Sequence, residues 1–310
     1  IKYDEKILNI LNKNIYGFFK PPQIGKKLII YGLHGGASWP GASIDKVNDI
    51  MYVPVNQVPF VILVEGKTED LVSDYASNEF KFDDVKKMYI DNCSNCHGVK
   101  SNGKFSKKGE KLIFHYPSLT GLSVFKKNIY NNKNLEEIYD LHNFKLSREK
   151  FNKIINFLKL RDNFLHENNK IKIYGNWYQL LDKKDMPLTN LDWGYIVSLN
   201  LRDGKILWKS PIGEIYKENK KKLGTPIYGG IALTSENILI ATGTDDNNIY
   251  FLNAENGKII KTFNMKYAGS TSPTIYEYNG YTYISVVASG GIYHNFKDKG
   301  MSIYTFRIKN

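Results

Sequence analysis

Two stretches of this chain repeat one another at a spacing of about 53 residues, and that period constrains the fold more than any other feature. Tyr195–Trp208 reads YIVSLNLRDGKILW, and Asn248–Lys261 reads NIYFLNAENGKIIK. In each copy an alternating apolar strand runs into an Asn, a polar turn closes on Gly204 or Gly257, and a second strand returns. A hairpin repeated at this interval is the size of one propeller blade. Trp208 is a packing residue, and Lys261 stands in its place in the second copy.

The same chemistry, apolar and polar residues alternating between Gly, Asn and Asp, governs the chain before about residue 70 and after about residue 170. A 14% aromatic fraction, with Tyr and Phe set among Asn, Gly and Thr, favours short strands over a helical bundle. With 42% hydrophobic residues over 310 positions, the chain buries a sizeable core and is not disordered.

The middle of the chain is different. Its two cysteines are the only ones in the sequence, and both fall in Cys93-Ser94-Asn95-Cys96-His97. That spacing predicts a covalent c-type haem: two thioethers fix the porphyrin, and His97 lies beneath the iron as proximal ligand. A redox Cys pair would have no use for His97, and no βαβ pattern surrounds the motif. A zinc site would need two further ligands at regular spacing.

The flanks carry a helix over Phe82–Asn92, a Pro117-Ser118-Leu119 turn after a lysine-rich loop, and a second amphipathic helix over Ser147–Leu160 with Ser147 as N-cap. The order resembles a cytochrome c domain, which implies an all-α insert over residues 80–166. The sixth iron ligand is open: His142 is the candidate, Met186 is a rival, and His115 lies on the wrong side of Pro117. A bis-His iron would have a lower potential than a His/Met iron.

A formal charge of +12 raises the question of polyanions, but Lys183-Lys184 and Lys220-Lys221-Lys222 are flanked by turn residues and read as solvated loops. No nucleic-acid partner is expected; the charge suits steering toward an acidic redox partner. No apolar run reaches the roughly 20 residues of a bilayer span. The start, Ile1-Lys2-Tyr3-Asp4, has no initiating Met and no leader, so Ile1 is expected to be internal to a longer reading frame. The haem motif itself places the protein outside the cytoplasm, in the periplasm.

Four stretches then resemble the pyrroloquinoline quinone (PQQ)-dependent dehydrogenases. They are Gly32–Ser43 with Met51–Pro54, Leu191-Asp192-Trp193-Gly194 opening the hairpin repeat, Gly224–Gly230, and Ser272–Tyr276 leading to Ala288–Gly291. In that family the repeat is the tryptophan docking motif, satisfied by Trp208 and not by Lys261. The resemblance implies the C-terminal half of an eight-bladed propeller, mainly β and about four blades, over residues 1–79 and 167–310, with the cytochrome insert between. It implies PQQ bordered by Trp39, Tyr228 and the Gly290-Gly291 turn. Ser38 stands where relatives often have Asn, and Ile292 where alcohol-oxidising relatives have Trp.

The family's catalytic Asp and calcium ligands come from preceding blades, so no catalytic residue is assigned here. Three functions follow. In the first, a sugar or alcohol is oxidised at PQQ and electrons pass through the haem to a downstream cytochrome or the respiratory chain. In the second, the chain is an electron carrier on a degenerate, non-catalytic propeller. In the third, it is a binding propeller without quinone.

Overall fold

Both repeated hairpins form with the same bonds. Asn200 N–H donates to Lys205 O at 2.9 Å and Gly204 N–H to Asn200 O at 2.8 Å; Asn253 and Gly257 donate to Lys258 O and Asn253 O at 2.9 and 2.8 Å. The Asn side chains bind the turn as well, Asn200 Oδ1 accepting from Arg202 N at 2.8 Å and Asn253 Oδ1 from Glu255 N at 2.9 Å. Gly204 and Gly257 close the turns at φ +70° and +69°, a left-handed backbone that favours glycine.

The computed structural model describes residues 14–17, 19–37, 40–75, 82–108, 111–126, 129–142, 146–181, 188–189, 191–214, 222–290 and 299–308. The chain divides into two units, one of residues 1–7, 31–60 and 179–310, the other of 8–30 and 61–178.

Among its described residues the first unit holds three antiparallel sheets. The first runs Ile206–Pro211, Gly194–Asn200, Ile50–Asn56, Ser43–Asp45 in spatial order. The second is a meander of Ile231–Leu233, Ile238–Ala241, Asn248–Asn253 and Ile259–Asn264. The third contains Thr274–Tyr278, Tyr281–Ala288 and Ser302–Ile308.

Alternation along the second sheet explains the stack. Leu239, Ala241, Tyr250 and Leu252 pack with Tyr52, Ile196 and Ile212, while Ile240 and Ile249 on the opposite face pack with Ile284, Val286 and Ala288. Both faces are therefore buried, as face-to-face blades require. Trp208 ties neighbouring blades: its Nε1–H donates to Ala254 O at 2.9 Å, and its ring covers Gly257, where any Cβ would overlap it. The Gly224–Gly230 segment is held by buried Asn56, which accepts from Ile227 N at 2.7 Å and donates to Ile227 O at 3.0 Å.

In the first sheet, Ile50–Asn56 pairs with Gly194–Asn200 in unbroken register, Ile50 against Asn200 and Asn56 against Gly194. Residues 61–178 of the second unit thus fall, in sequence, between two strands that pair in one blade. It contains a four-stranded sheet ordered Ile15–Tyr16, Lys27–Tyr31, Pro59–Lys67, Lys172–Gln179, whose first two strands pair in parallel, unlike the antiparallel blades.

Its helices are Asp83–Asn92, Asn132–His142 and Arg148–Glu167, with single turns at Ser94–His97 and Leu122–Phe125. Ser147 caps the last helix by accepting from Lys150 N at 3.4 Å. That helix runs seven residues beyond the expected Leu160, because Leu165 is also buried. The expectation of an all-α insert is corrected by a β-hairpin, Lys104–Lys108 with Lys111–Tyr116, where the sequence reads as a lysine-rich loop. Among the described residues no helix is long and apolar enough to cross a membrane.

Candidate functional site

The Cys-x-x-Cys-His segment continues the helix that precedes it. Cys93 N–H donates to Tyr89 O at 2.8 Å, and His97 N–H to Cys93 O at 2.9 Å. Gly98, at φ +78°, ends the turn, and the buried Tyr89 fixes it from below by donating its hydroxyl to Gly98 O at 2.8 Å. Both thiols and the imidazole are thereby set by backbone geometry.

His97 is buried, and its Nδ1 lies 2.8 Å from Pro117 O. A carbonyl only accepts, so Nδ1 carries the proton and the neutral ring keeps its lone pair on Nε2. Burial lowers the His97 pKa, and His142 and His115 add to the effect against the opposing bond to Pro117. The result is a neutral imidazole, the form that ligates a metal.

The Pro117 loop is itself anchored. Ser118 donates from Oγ to Gly66 O at 2.6 Å and from N to Glu65 Oε1 at 2.9 Å, and His115 Nε2 meets the same Glu65 oxygen at 2.8 Å. Further along, buried Asp162 accepts from Gly121 N at 2.8 Å and from Ser123 Oγ at 2.9 Å. This pins the loop to the Arg148–Glu167 helix. Such loop-to-helix bonds fix where the Pro117 carbonyl stands, and therefore the tautomer of His97.

His142 ends the Asn132–His142 helix, and its Nδ1–H donates to Ile138 O at 2.7 Å. The His97 and His142 ring centroids are 6.1 Å apart, with 38° between the planes. Both rings border a cavity of about 580 Å³. Cys93, Cys96, His97, Pro117, Leu119 and His142 border it, and the buried helix residues Phe151, Ile154, Ile155 and Leu158 make its apolar wall. Its volume falls within the roughly 300–1,000 Å³ of cofactor sites.

The Cys93 thiol is pushed up to about 11, first by burial and then by Cys96. A redox-active pair needs the opposite shift, toward thiolate, so the thiol is poorly suited to disulfide exchange. A zinc reading fares no better: among the described residues no group of three or more His, Cys, Asp or Glu side chains is placed to hold a metal ion. Haem iron takes two axial protein ligands and is untouched by that count.

The residues expected around the quinone divide. Trp39 and Gly291 lie outside the described residues, as do Ser38, Ile292 and Met186. Tyr228 is buried, its hydroxyl sharing a 3.1 Å hydrogen bond with His34 Nδ1, and His34 packs on Phe60 at 4.9 Å between centroids. Gly290, at φ +70°, donates to Ala268 O at 3.0 Å. His34, the Pro117 carbonyl and the Glu65–His115 pair were not foreseen. Their partners lie 194, 20 and 50 residues away, beyond any local pattern.

Stacked antiparallel sheets tied by a docking tryptophan define a β-propeller of the dehydrogenase type. The description of the glucose/ethanol/alcohol dehydrogenase β-propeller domain, the PQQ family, matches residues 5–109 and 128–284, and the chain belongs to that family. Quinoprotein glucose dehydrogenase A of Acinetobacter calcoaceticus is 30% identical over 112 residues, 34% of this chain and 14% of that protein. The glycerol dehydrogenase large subunit of Gluconobacter oxydans is 26% identical over 107 residues, 32% and 14%. The match thus spans about a seventh of these curated relatives' length. Among solved structures, the quinohemoprotein alcohol dehydrogenase of Comamonas testosteroni aligns with 91% of this chain and 28% of its own, at TM-score 0.43 and 13% identity.

Proposed function

We propose that the chain is part of a PQQ-dependent dehydrogenase oxidising a sugar or alcohol, in which electrons leave the quinone through a c-type haem held by this chain. Cys93 and Cys96 carry the thioethers, His97 is the proximal ligand and His142 the sixth. One observation carries the haem assignment: two imidazoles 6.1 Å apart border one cavity together with both thiols. An imidazole–metal bond is about 2 Å and a ring centroid lies about 1 Å behind its nitrogen, so two imidazoles that held one iron would stand about 6 Å apart.

When bound, the haem supplies a one-electron ferric/ferrous couple. The chain's own residues prepare it. Pro117 O and Ile138 O hold the Nδ1 protons of His97 and His142, leaving each Nε2 lone pair for ligation. Phe151, Ile154, Ile155 and Leu158 keep water from the wall they form. Trp39, Tyr228, Gly290 and Gly291 are the residues proposed to border PQQ, with calcium and the catalytic base supplied by blades outside this chain. A periplasmic location, where covalent haem is attached, and an acidic downstream cytochrome as acceptor complete the reading.

The test is expression with a c-type maturation system. The expected result is a mass increase of one haem, lost in the Cys93→Ala/Cys96→Ala variant, and a low-spin spectrum converted to high spin by His142→Ala. A chain that emerges without covalent haem overturns the assignment. Haem reduction on adding PQQ, calcium and sugars or alcohols tests the dehydrogenase.

A second reading, an electron carrier on a non-catalytic propeller, is favoured by the burial of Tyr228, whose hydroxyl is already engaged by His34. Haem reducible by dithionite alone would select it.

A further inference from the structure

The cavity wall is not uniformly apolar. Lys126, just past the Leu122–Phe125 turn, lines it, and among the described residues its ammonium donates to Gly25 O alone, at 3.4 Å. Its pKa is lowered, first by burial and then by the nearby Lys26, with no carboxylate opposing either effect. Four residues further on, Tyr130 also lines the cavity, and its buried hydroxyl has no hydrogen-bond partner. A buried hydroxyl left unpaired costs about 1–3 kcal/mol, and a partly buried cation without a counter-charge is likewise unfavourable. The acid on the wall, Asp91, sits instead beside Cys93 on the preceding helix.

We propose that this stretch is an anion site, in which Lys126, reinforced by Lys26, and the Tyr130 hydroxyl hold the carboxylate edge of the cavity's occupant. Resting on the haem reading, that edge is the haem's two propionates. The thioethers then fix one side of the macrocycle and Lys126 the other. A cation there also stabilises the ferrous state, which carries one positive charge fewer, so Lys126 positions the haem and raises its potential.

The experiment is potentiometry on the matured holoprotein. Lys126→Met is expected to move the ferric–ferrous equilibrium about threefold to tenfold toward ferric. Lys126→Glu moves it further, Lys126→Arg restores it, and Tyr130→Phe gives a smaller change in the same direction. Lys205→Met, a matched loss of one exposed lysine, leaves the potential unchanged. Lys126→Met and Lys126→Glu proteins that carry covalent haem at the wild-type potential, or a shift that Lys205→Met reproduces, overturn the anion site while leaving the haem reading intact. Failure of the wild-type chain to attach haem overturns both.

Discussion

The two units solve the problem of a core in opposite ways. In the first, each sheet's inner face is filled by the next sheet: Leu239 and Leu252 are buried on one side, Ile240 and Ile249 on the other, and Trp208 seals the joint. In the second, Phe151, Ile154, Ile155 and Leu158 face a cavity of about 580 Å³. The lesson is that the first unit buries its apolar faces sheet against sheet, whereas the second packs a helical core around Val72, Tyr89, Phe157 and Leu158 and borders a cavity with the same helix.

The sharpest way to break this contrast is to remove both thiols of the proposed haem site. The Cys93→Ala/Cys96→Ala chain is expected to lose cooperative unfolding of the second unit while the sheets of the first keep their transition. Amide hydrogen exchange over residues 83–167, compared with 238–264, reads this directly; equal protection in both would abolish the distinction. Next in size is Trp208→Ala, expected to destabilise the first unit by about 2–4 kcal/mol, because its ring and its bond to Ala254 are both lost. Denaturant midpoints of the two transitions should move separately.

Asp162→Ala is expected to cost the second unit about 2–3 kcal/mol by orphaning the amides of Gly121 and Ser123. A smaller effect is pH-dependent. Burial raises the Glu65 pKa, but bonds from His115 and Ser118 and the charges of His115 and Lys67 outweigh it, so the folded value lies below the ordinary one. A depressed carboxylate contributes stability above its unfolded pKa, about 4.3, that is lost as pH falls through the folded value. Thermal melts of the second unit should therefore decline below about pH 4.5, and Glu65→Gln should flatten that decline. Smallest is Lys261→Trp. Lys261 borders an apolar cleft with Ile260, Phe263 and Phe306, and filling it is expected to stabilise the first unit by about 1 kcal/mol or less. A lower midpoint would show that the lost tryptophan has already been compensated.

The hairpins were legible in sequence because Asn200–Gly204 and Asn253–Gly257 carry their bonds locally, within a few residues. Ser147 announced its helix for the same reason. Where the partners are distant, the sequence was silent. The 104–116 hairpin was hidden by its lysines, whose aliphatic stems leave no clean alternation in Lys104–Lys108. His142 is named in the sequence by its place before the last helix, but its 6.1 Å approach to His97 rests on a helix end that nothing local marks. The Cys93-Ser94-Asn95-Cys96-His97 segment stands out in the sequence because its three side chains lie within five residues, whereas the approach of His142 depends on a helix end some 45 residues later.

The long sequence interval between the paired strands Ile50–Asn56 and Gly194–Asn200 has a consequence for biogenesis. Asn56 must wait for Gly194 to emerge, roughly 140 residues later, before their strands can join. A chain that long, left open, pays the full loop-closure entropy and exposes an unpaired strand edge meanwhile. If residues 61–178 fold first, the loop to be closed is in effect shortened to the chain on either side of them. Folding of that segment would then set when the two strands can join, and variants that unfold it should accumulate as aggregate.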